Sequence, residues 1–214
     1  MTAGVTHASP LEKPAQDKNT LVIATARGID NLDATVTATA DSQRYAWQLF
    51  DTLYQFDTKG GMHPSLALSY EIAPDGKAYT FTLHRGVKFH NGDTMTSEDV
   101  AFSLRRMLDP ETKSTRRPYF AAIVADIETP APDKVVFRLK KQDGAFLNKI
   151  TAFLYVLPKN YVESLRSPAA FSANPVGTGP YRFDKQQVGQ TLDLVRFENF
   201  WGEKPAVQRL HFRL

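Results

Sequence analysis

The stretch 79–110, YTFTLHRGVKFHNGDTMTSEDVAFSLRRMLDP, constrains the fold of this chain more than any other. Tyr79, Phe81 and Leu83 alternate with Thr80, Thr82 and His84. That is the period of a half-buried strand. Val87 and Phe89 carry the alternation on after a break at Gly86, so His84 and His90 read as solvent-facing strand residues. Asn91-Gly92 supplies a turn, because both residues accept positive φ at low cost. Thr96 is a good N-cap, and Asp99 three positions later completes a capping-box pattern. Val100, Leu104, Met107 and Leu108 then recur at helical spacing. Asp109-Pro110 ends the helix, since a residue before proline is pushed out of the α region. Strand, turn, cap and helix in that order define an α/β unit and no chemistry.

The flanking chain repeats the same grammar. Leu21–Ala24 reads as a first strand after a polar leader over 1–20, and 30–40 reads as loop. Asp41 or Ser42 can cap a helix through about Phe50, with Tyr45, Leu49 and Trp47 on its buried side. Leu53, Tyr54 and Phe56 suit a short strand. Leu66, Leu68, Tyr70 and Ile72 alternate into Pro74-Asp75-Gly76, which predicts a hairpin with the strand at 79–84. Residues 123–127 and 135–139 predict a second hairpin, and 181–197 a third turning at Gly189. Asp143 can cap a helix carrying Phe146, Leu147 and Ile150. Residues 153–157 read as a buried strand, and Pro158 suits the first turn of a helix with Tyr161, Val162 and Leu165 inward.

Composition narrows the function classes. The 214 residues are 42% hydrophobic and 23% charged, which suffices for a sizeable core. The net charge is +3 and the basic residues are scattered, unlike the concentrated footprint of a nucleic-acid binder. There is no cysteine, which excludes disulfides, thiolate chemistry and Cys-ligated zinc. No run approaches the roughly 18 apolar residues of a membrane span. The histidines, His7, His63, His84, His90 and His211, form no metal-ligand spacing. There is no G-x-S-x-G elbow. Gly177-Thr178-Gly179 lacks the strand–loop–helix context and the lysine of a phosphate loop, and reads as a turn. Enzymatic chemistry, cofactors and metals are therefore not expected. Arg116-Arg117-Pro118-Tyr119-Phe120 sets two guanidinium groups beside two rings. Such a group can grip a carboxylate and stack on a ligand, or it can be an ordinary helix–loop surface.

The wording of three segments resembles a known family. Phe81, Leu83, Arg85–His90, Gly92, Glu98–Val100 and Phe102-Ser103 match the signature of the family 5 extracellular solute-binding proteins, the oligopeptide, dipeptide and nickel receptors of ABC importers. Tyr79 stands for the usual Trp, His84-Arg85 shifts the basic position, and Asn91 stands for Asp. Asn174–Tyr181 is similar to the family's P-x-G-T-G-P-Y/W, and Asn199–Ala206 to its N-x-x-Y/F-W-G-x-x-P. Asp51-Thr52-Leu53 and Pro64–Ser69 resemble its E/D-x-L and P-x-L-A-x-S.

The resemblance implies an α/β chain: the first lobe of a periplasmic-binding-protein-like type II (cluster C) fold. It has a mixed sheet, several antiparallel hairpins and short helices. On this reading 21–214 is the N-terminal lobe, the strand at 208–214 leads toward a second lobe that is absent, and a signal peptide has been removed or left out. The surface facing the missing segments should be an apolar patch or a strand edge. The implied function is capture of a ligand between two lobes and its delivery to ABC permease subunits in the periplasm, with short peptides first among ligands. Nickel chelates, opines and oligosaccharides are the alternatives, and so is an isolated lobe acting as an interaction or sensing module. Position within the matched segments nominates Arg27, Gln43, Arg44, Arg116, Arg117, Tyr119, Phe153 and Thr178 as cleft residues. The arginines would pair a carboxylate, Tyr119 and Phe153 would wall the pocket, and Thr178 would donate a hydrogen bond.

Overall fold

A computed structural model describes residues 19–25, 29, 31–36 and 39–213. Two four-stranded sheets carry the architecture. The first has the order β1-β10-β9-β8, where β1 is Thr20–Ala24, β8 Tyr181–Gln187, β9 Thr191–Arg196 and β10 Arg209–Arg213. Strand β1 runs parallel to β10 and the other pairs are antiparallel. The second sheet, β4-β5-β7-β6, is antiparallel throughout, with β4 Ala67–Ile72, β5 Ala78–Leu83, β6 Val124–Ala131 and β7 Lys134–Leu139. Between them β2 (Tyr54–Phe56) and β3 (Met62–Pro64) form a small hairpin.

The anticipated hairpins form because alternation and turn chemistry agree. In β5 the buried residues are Tyr79, Phe81 and Leu83, one face of the pleat. Helix α2 (Ser97–Leu108) lays Val100, Leu104 and Met107 against that sheet, all fully buried. Each such side chain contributes about 1.5–3 kcal/mol of burial. The helix starts where the capping pattern places it. The Asp99 carboxylate accepts from the Thr96 amide at 2.8 Å, and its other oxygen accepts from the Lys159 amide at 2.9 Å.

Four departures from the sequence reading have local causes. Helix α1 (Ala40–Leu49) is capped by Thr39, not Asp41 or Ser42. Thr39 is the extended residue, and its hydroxyl accepts from the Ser42 amide at 3.2 Å. Trp47 faces outward, 61% exposed. Residues 154–157 are buried but form no strand, because their only pairing partner is the short crossing segment at Thr52, bridged to Tyr155. His90 is not a solvent-facing strand residue, as its hydrogen bonds below show.

The apolar interior falls into two clusters. One lies under the second sheet and includes Leu53, Leu154 and Val156. The other lies under the first sheet and includes Leu49, Phe50, Tyr155 and Leu157. The chain passes between them outbound at 50–53 and returns at 154–157. These two crossings lie side by side, with the Val156 amide donating to the Asp51 carbonyl at 3.1 Å. Most of the chain's nominated cleft residues stand at this junction.

Candidate functional site

Helix α4 (Phe146–Phe153) ends at the junction, and the short helix α3 (Arg117–Ala121) lies beside it. Tyr119, half-exposed, stacks on Phe153 with ring centres 4.8 Å apart and planes within 10°. Arg116 sits beneath. Its guanidinium carbon is 5.7 Å from the Phe153 ring centre and 5.1 Å from that of Tyr155. Nη1 donates to the Ala34 carbonyl at 2.6 Å and the Phe153 carbonyl at 3.2 Å. Nε and Nη2 have no hydrogen-bond partner among the described residues, although Arg116 is fully buried. Those two nitrogens form one edge of the planar guanidinium, the fork that takes a carboxylate side-on. Burial lowers the Arg116 pKa, partly offset by Tyr155, Asp33 and Tyr119. An arginine nevertheless remains charged in proteins. A buried charge with three of its five N–H donors unpartnered is a costly arrangement, and a paired anion relieves it.

The other nominated residues divide. Gln43 accepts from the Tyr155 hydroxyl at 3.3 Å and faces the junction. Tyr155 itself is buried, which pushes its phenol up to about 12 despite the nearby Arg116 charge. Arg117 donates through Nε to the Leu108 carbonyl at 2.8 Å, closing the C-terminal end of α2. Arg44 is exposed and lies 3.9 Å from Asp41, a surface pair. Thr178 is fully buried and donates to Asp51 Oδ2 at 2.9 Å, so its hydroxyl is engaged within the protein. Arg27 lies outside the described residues.

Asp51 belongs to a family-matched segment and lies outside the nominated residues. It joins three separate segments, because Trp201 Nε1 also donates to its Oδ2, at 3.0 Å. Burial raises the Asp51 pKa, and the bonds from Trp201 and Thr178 act in the opposite direction. The loop bearing Thr178 is pinned on its other side by His90. Its Nδ1 accepts from the Gly177 amide at 3.2 Å, and Nε2 lies 3.0 Å from the Gly179 carbonyl. That pair of contacts defines the neutral Nε2–H tautomer. Gly177 and Gly179 must be glycine, since an added Cβ would lie 2.1 Å from the Leu49 carbonyl oxygen or 2.6 Å from that of Gln48.

Beside the junction opens a cleft of 460 Å³. Trp47, Asp51, Phe56, Asp57, Phe153 and Tyr155 are among its lining residues. No group of three or more His, Asp or Glu side chains able to hold a metal occurs among the described residues. No helix there is long and apolar enough to cross a membrane.

The geometry can be set beside known proteins. Residues 61–214 match the family model of the bacterial extracellular solute-binding proteins, family 5 Middle. The Heme-binding protein A of Haemophilus influenzae is 30% identical over 93% of this chain and 40% of its own length. The Nickel-binding periplasmic protein of Escherichia coli is 30% identical over 78% of this chain and 32% of its own. Among solved structures, NikZ from Campylobacter jejuni in complex with Ni(L-His) superposes with a TM-score of 0.85 at 30% identity, over 92% of this chain and 39% of that one. DppA from Helicobacter pylori in complex with the peptide STSA gives 0.82 at 27% identity, over 91% and 42%. The chain thus spans 40% or less of the length of these two curated relatives. Its mixed and antiparallel sheets and its short helices are those of one lobe of a type II periplasmic-binding fold. The chain belongs to the family 5 bacterial extracellular solute-binding proteins.

Proposed function

We propose that this chain supplies one wall of the ligand site in the substrate-binding component of an ABC-type importer, and that its ligand is a short peptide held in part by its carboxylate. The complete protein would work in the periplasm and hand the peptide to permease subunits. The observation that carries this reading is the Nε–Nη2 edge of Arg116, anchored from behind by two carbonyls and left without a partner among the described residues. Such an edge is pre-organised for a carboxylate, which lowers the entropic cost of forming both bonds. Phe153 lies over this guanidinium and Tyr119 stacks on Phe153, and the half-exposed Tyr119 ring would be the part that yields on entry. Gln43 adds an amide for the peptide backbone. Once bound, a ligand touching a second lobe would favour the closed state through its differential contacts.

The test compares trialanine with trialanine amide by calorimetry on the wild-type chain and on Arg116→Lys. Lysine keeps the charge and loses the planar fork. The expected result is saturable trialanine binding that weakens roughly tenfold or more on amidation, with the same loss in Arg116→Lys. Equal binding of acid and amide, or no binding of either, would overturn the assignment.

A further inference from the structure

The 460 Å³ cleft next to Arg116 has its own chemistry, and the reading of it below rests on the function just proposed. No Lys, Arg or His occurs among the described residues that line it, whereas Asp51 and Asp57 do. Its aromatic wall is unusually accessible. Trp47 is 61% exposed on α1, and Phe56 is half-exposed on β2. Asp57 is already engaged: Oδ1 accepts from the Lys59 and Gly61 amides, and Oδ2 lies 2.8 Å from His63 Nε2. These bonds, His63 first, hold its carboxyl below the usual range, so it adds a fixed negative field.

Asp51 differs. Both of its side-chain donors, Thr178 and Trp201, go to Oδ2, and neither donor lines the cleft. Oδ1 has no hydrogen-bond partner among the described residues, and Asp51 lines the cleft with partial exposure. A carboxylate set among open aromatic faces is the environment that stabilises an organic cation, through ion pairing and the ring quadrupoles together. Phe153 and Tyr155 belong to this cleft and also lie against the Arg116 guanidinium. The two rings therefore stand between a site for negative charge and one for positive charge.

We infer that this cleft is a subsite for a protonated amine or guanidinium of the ligand, with Asp51 Oδ1 as its counter-ion and Trp47 and Phe56 as its aromatic wall. The peptide bound here would then be zwitterionic or carry a lysine or arginine side chain, its carboxylate at Arg116 and its cationic group in the cleft.

The two tryptophans of the chain, Trp47 and Trp201, give a direct readout, since one lines the cleft and the other holds Asp51. The ¹⁵N-labelled chain is titrated with butylammonium chloride, and separately with sodium butyrate at matched ionic strength. Expected are saturable shifts of both indole N–H signals with butylammonium and none with butyrate, and an affinity roughly tenfold or more weaker in Asp51→Asn. Because Asp51 also holds Thr178 and Trp201, Trp47→Ala serves as the second variant. That side chain is mostly in solvent, and its loss should weaken butylammonium binding with the Trp201 signal otherwise unmoved. Equal responses to the two ions, no response to butylammonium, or full affinity in Trp47→Ala would overturn the inference. Trialanine is added to the same sample. If it binds while butylammonium does not, only the cationic subsite fails; if neither binds, the proposed function fails with it.

Discussion

His90 shows what a single residue contributes that local pattern does not disclose. Alternation after Gly86 places it on an outer face, but its ring bridges Gly177 and Gly179, 87 and 89 positions further along the chain. Its ring also meets that of Phe197, with centres 5.0 Å apart. A period-2 pattern registers neighbours along one strand and is blind to a loop that arrives from elsewhere. The same blindness hid Asp51, whose partners Thr178 and Trp201 are 127 and 150 positions away. The available signal is that His90, Gly177, Gly179, Asp51, Thr178 and Trp201 all fall in matched segments, which marks them without saying what they touch. Burial lowers the His90 pKa from 6.5 to about 4, against a smaller opposing effect of the Gly179 carbonyl. The neutral ring is the folded form, so its contribution is fully present above the unfolded pKa near 6.5. It is lost as pH falls toward 4, where the unfolded chain has bound a proton that the folded one resists. The loss amounts to about 3 kcal/mol. In urea titrations at pH 7.5, 6 and 4, wild type should be more stable than His90→Gln at the highest pH, with the gap closing by that amount at the lowest. Asp51 and Asp99, whose pKa values are raised, act oppositely in both proteins and cancel in the difference. A gap independent of pH would show that the ring is not held neutral.

At the scale of elements, what the sequence made legible was whatever local chemistry decides alone. The three hairpins needed only alternation and a turn, and α2 needed only its cap and apolar stripe. The short helix at Pro168–Ala173 and the short strand β3 carry no pattern long enough to register. The segment 153–157 reads as a buried strand; 154–157 are buried but unpaired as a strand and Phe153 ends α4, because pairing depends on what lies alongside. The turn at 176–180 is a stronger example. Its glycines read as turn residues, and they serve as the close-packed contact with the C-terminal end of α1. The Gly179 amide donates to the Leu49 carbonyl at 3.0 Å, which brings the two backbones together. Gly177→Ala would place a methyl group against that same carbonyl. Overpacking against backbone, which cannot rotate away, should destabilise the chain by about 1–3 kcal/mol. Chemical denaturation gives the value directly. Because α1 also carries Gln43 and Trp47, the variant should weaken trialanine binding as well. A variant with wild-type stability would mean that the loop and α1 are not in contact.

For the molecule as a whole, the first sheet raises a question that its own packing does not answer. Among the described residues, strand β1 stands at the end of that sheet, joined to β10. Leu21 and Val22, whose side chains point to opposite faces of the strand, remain 49% and 47% exposed. Half-exposed branched apolar residues at a sheet edge are a surface that natural proteins normally cover or charge. The relatives are longer, since this chain spans 40% or less of the two curated proteins compared above, and the family resemblance implies an apolar patch or strand edge on this chain. The half-exposed Leu21 and Val22 side chains should therefore promote association of the 214-residue chain with itself. Sedimentation velocity from about 5 to about 200 µM should show a concentration-dependent larger species. Leu21→Lys, which charges one face of β1 while leaving its backbone pairing with β10 intact, should shift the distribution to monomer and leave thermal stability nearly unchanged, because little burial is lost. A monomer across the whole range would show that the second sheet, α2 and the two apolar clusters suffice to keep this lobe apart from its copies. The exposed faces of β1 would then be ordinary surface, with no covering element required to explain them.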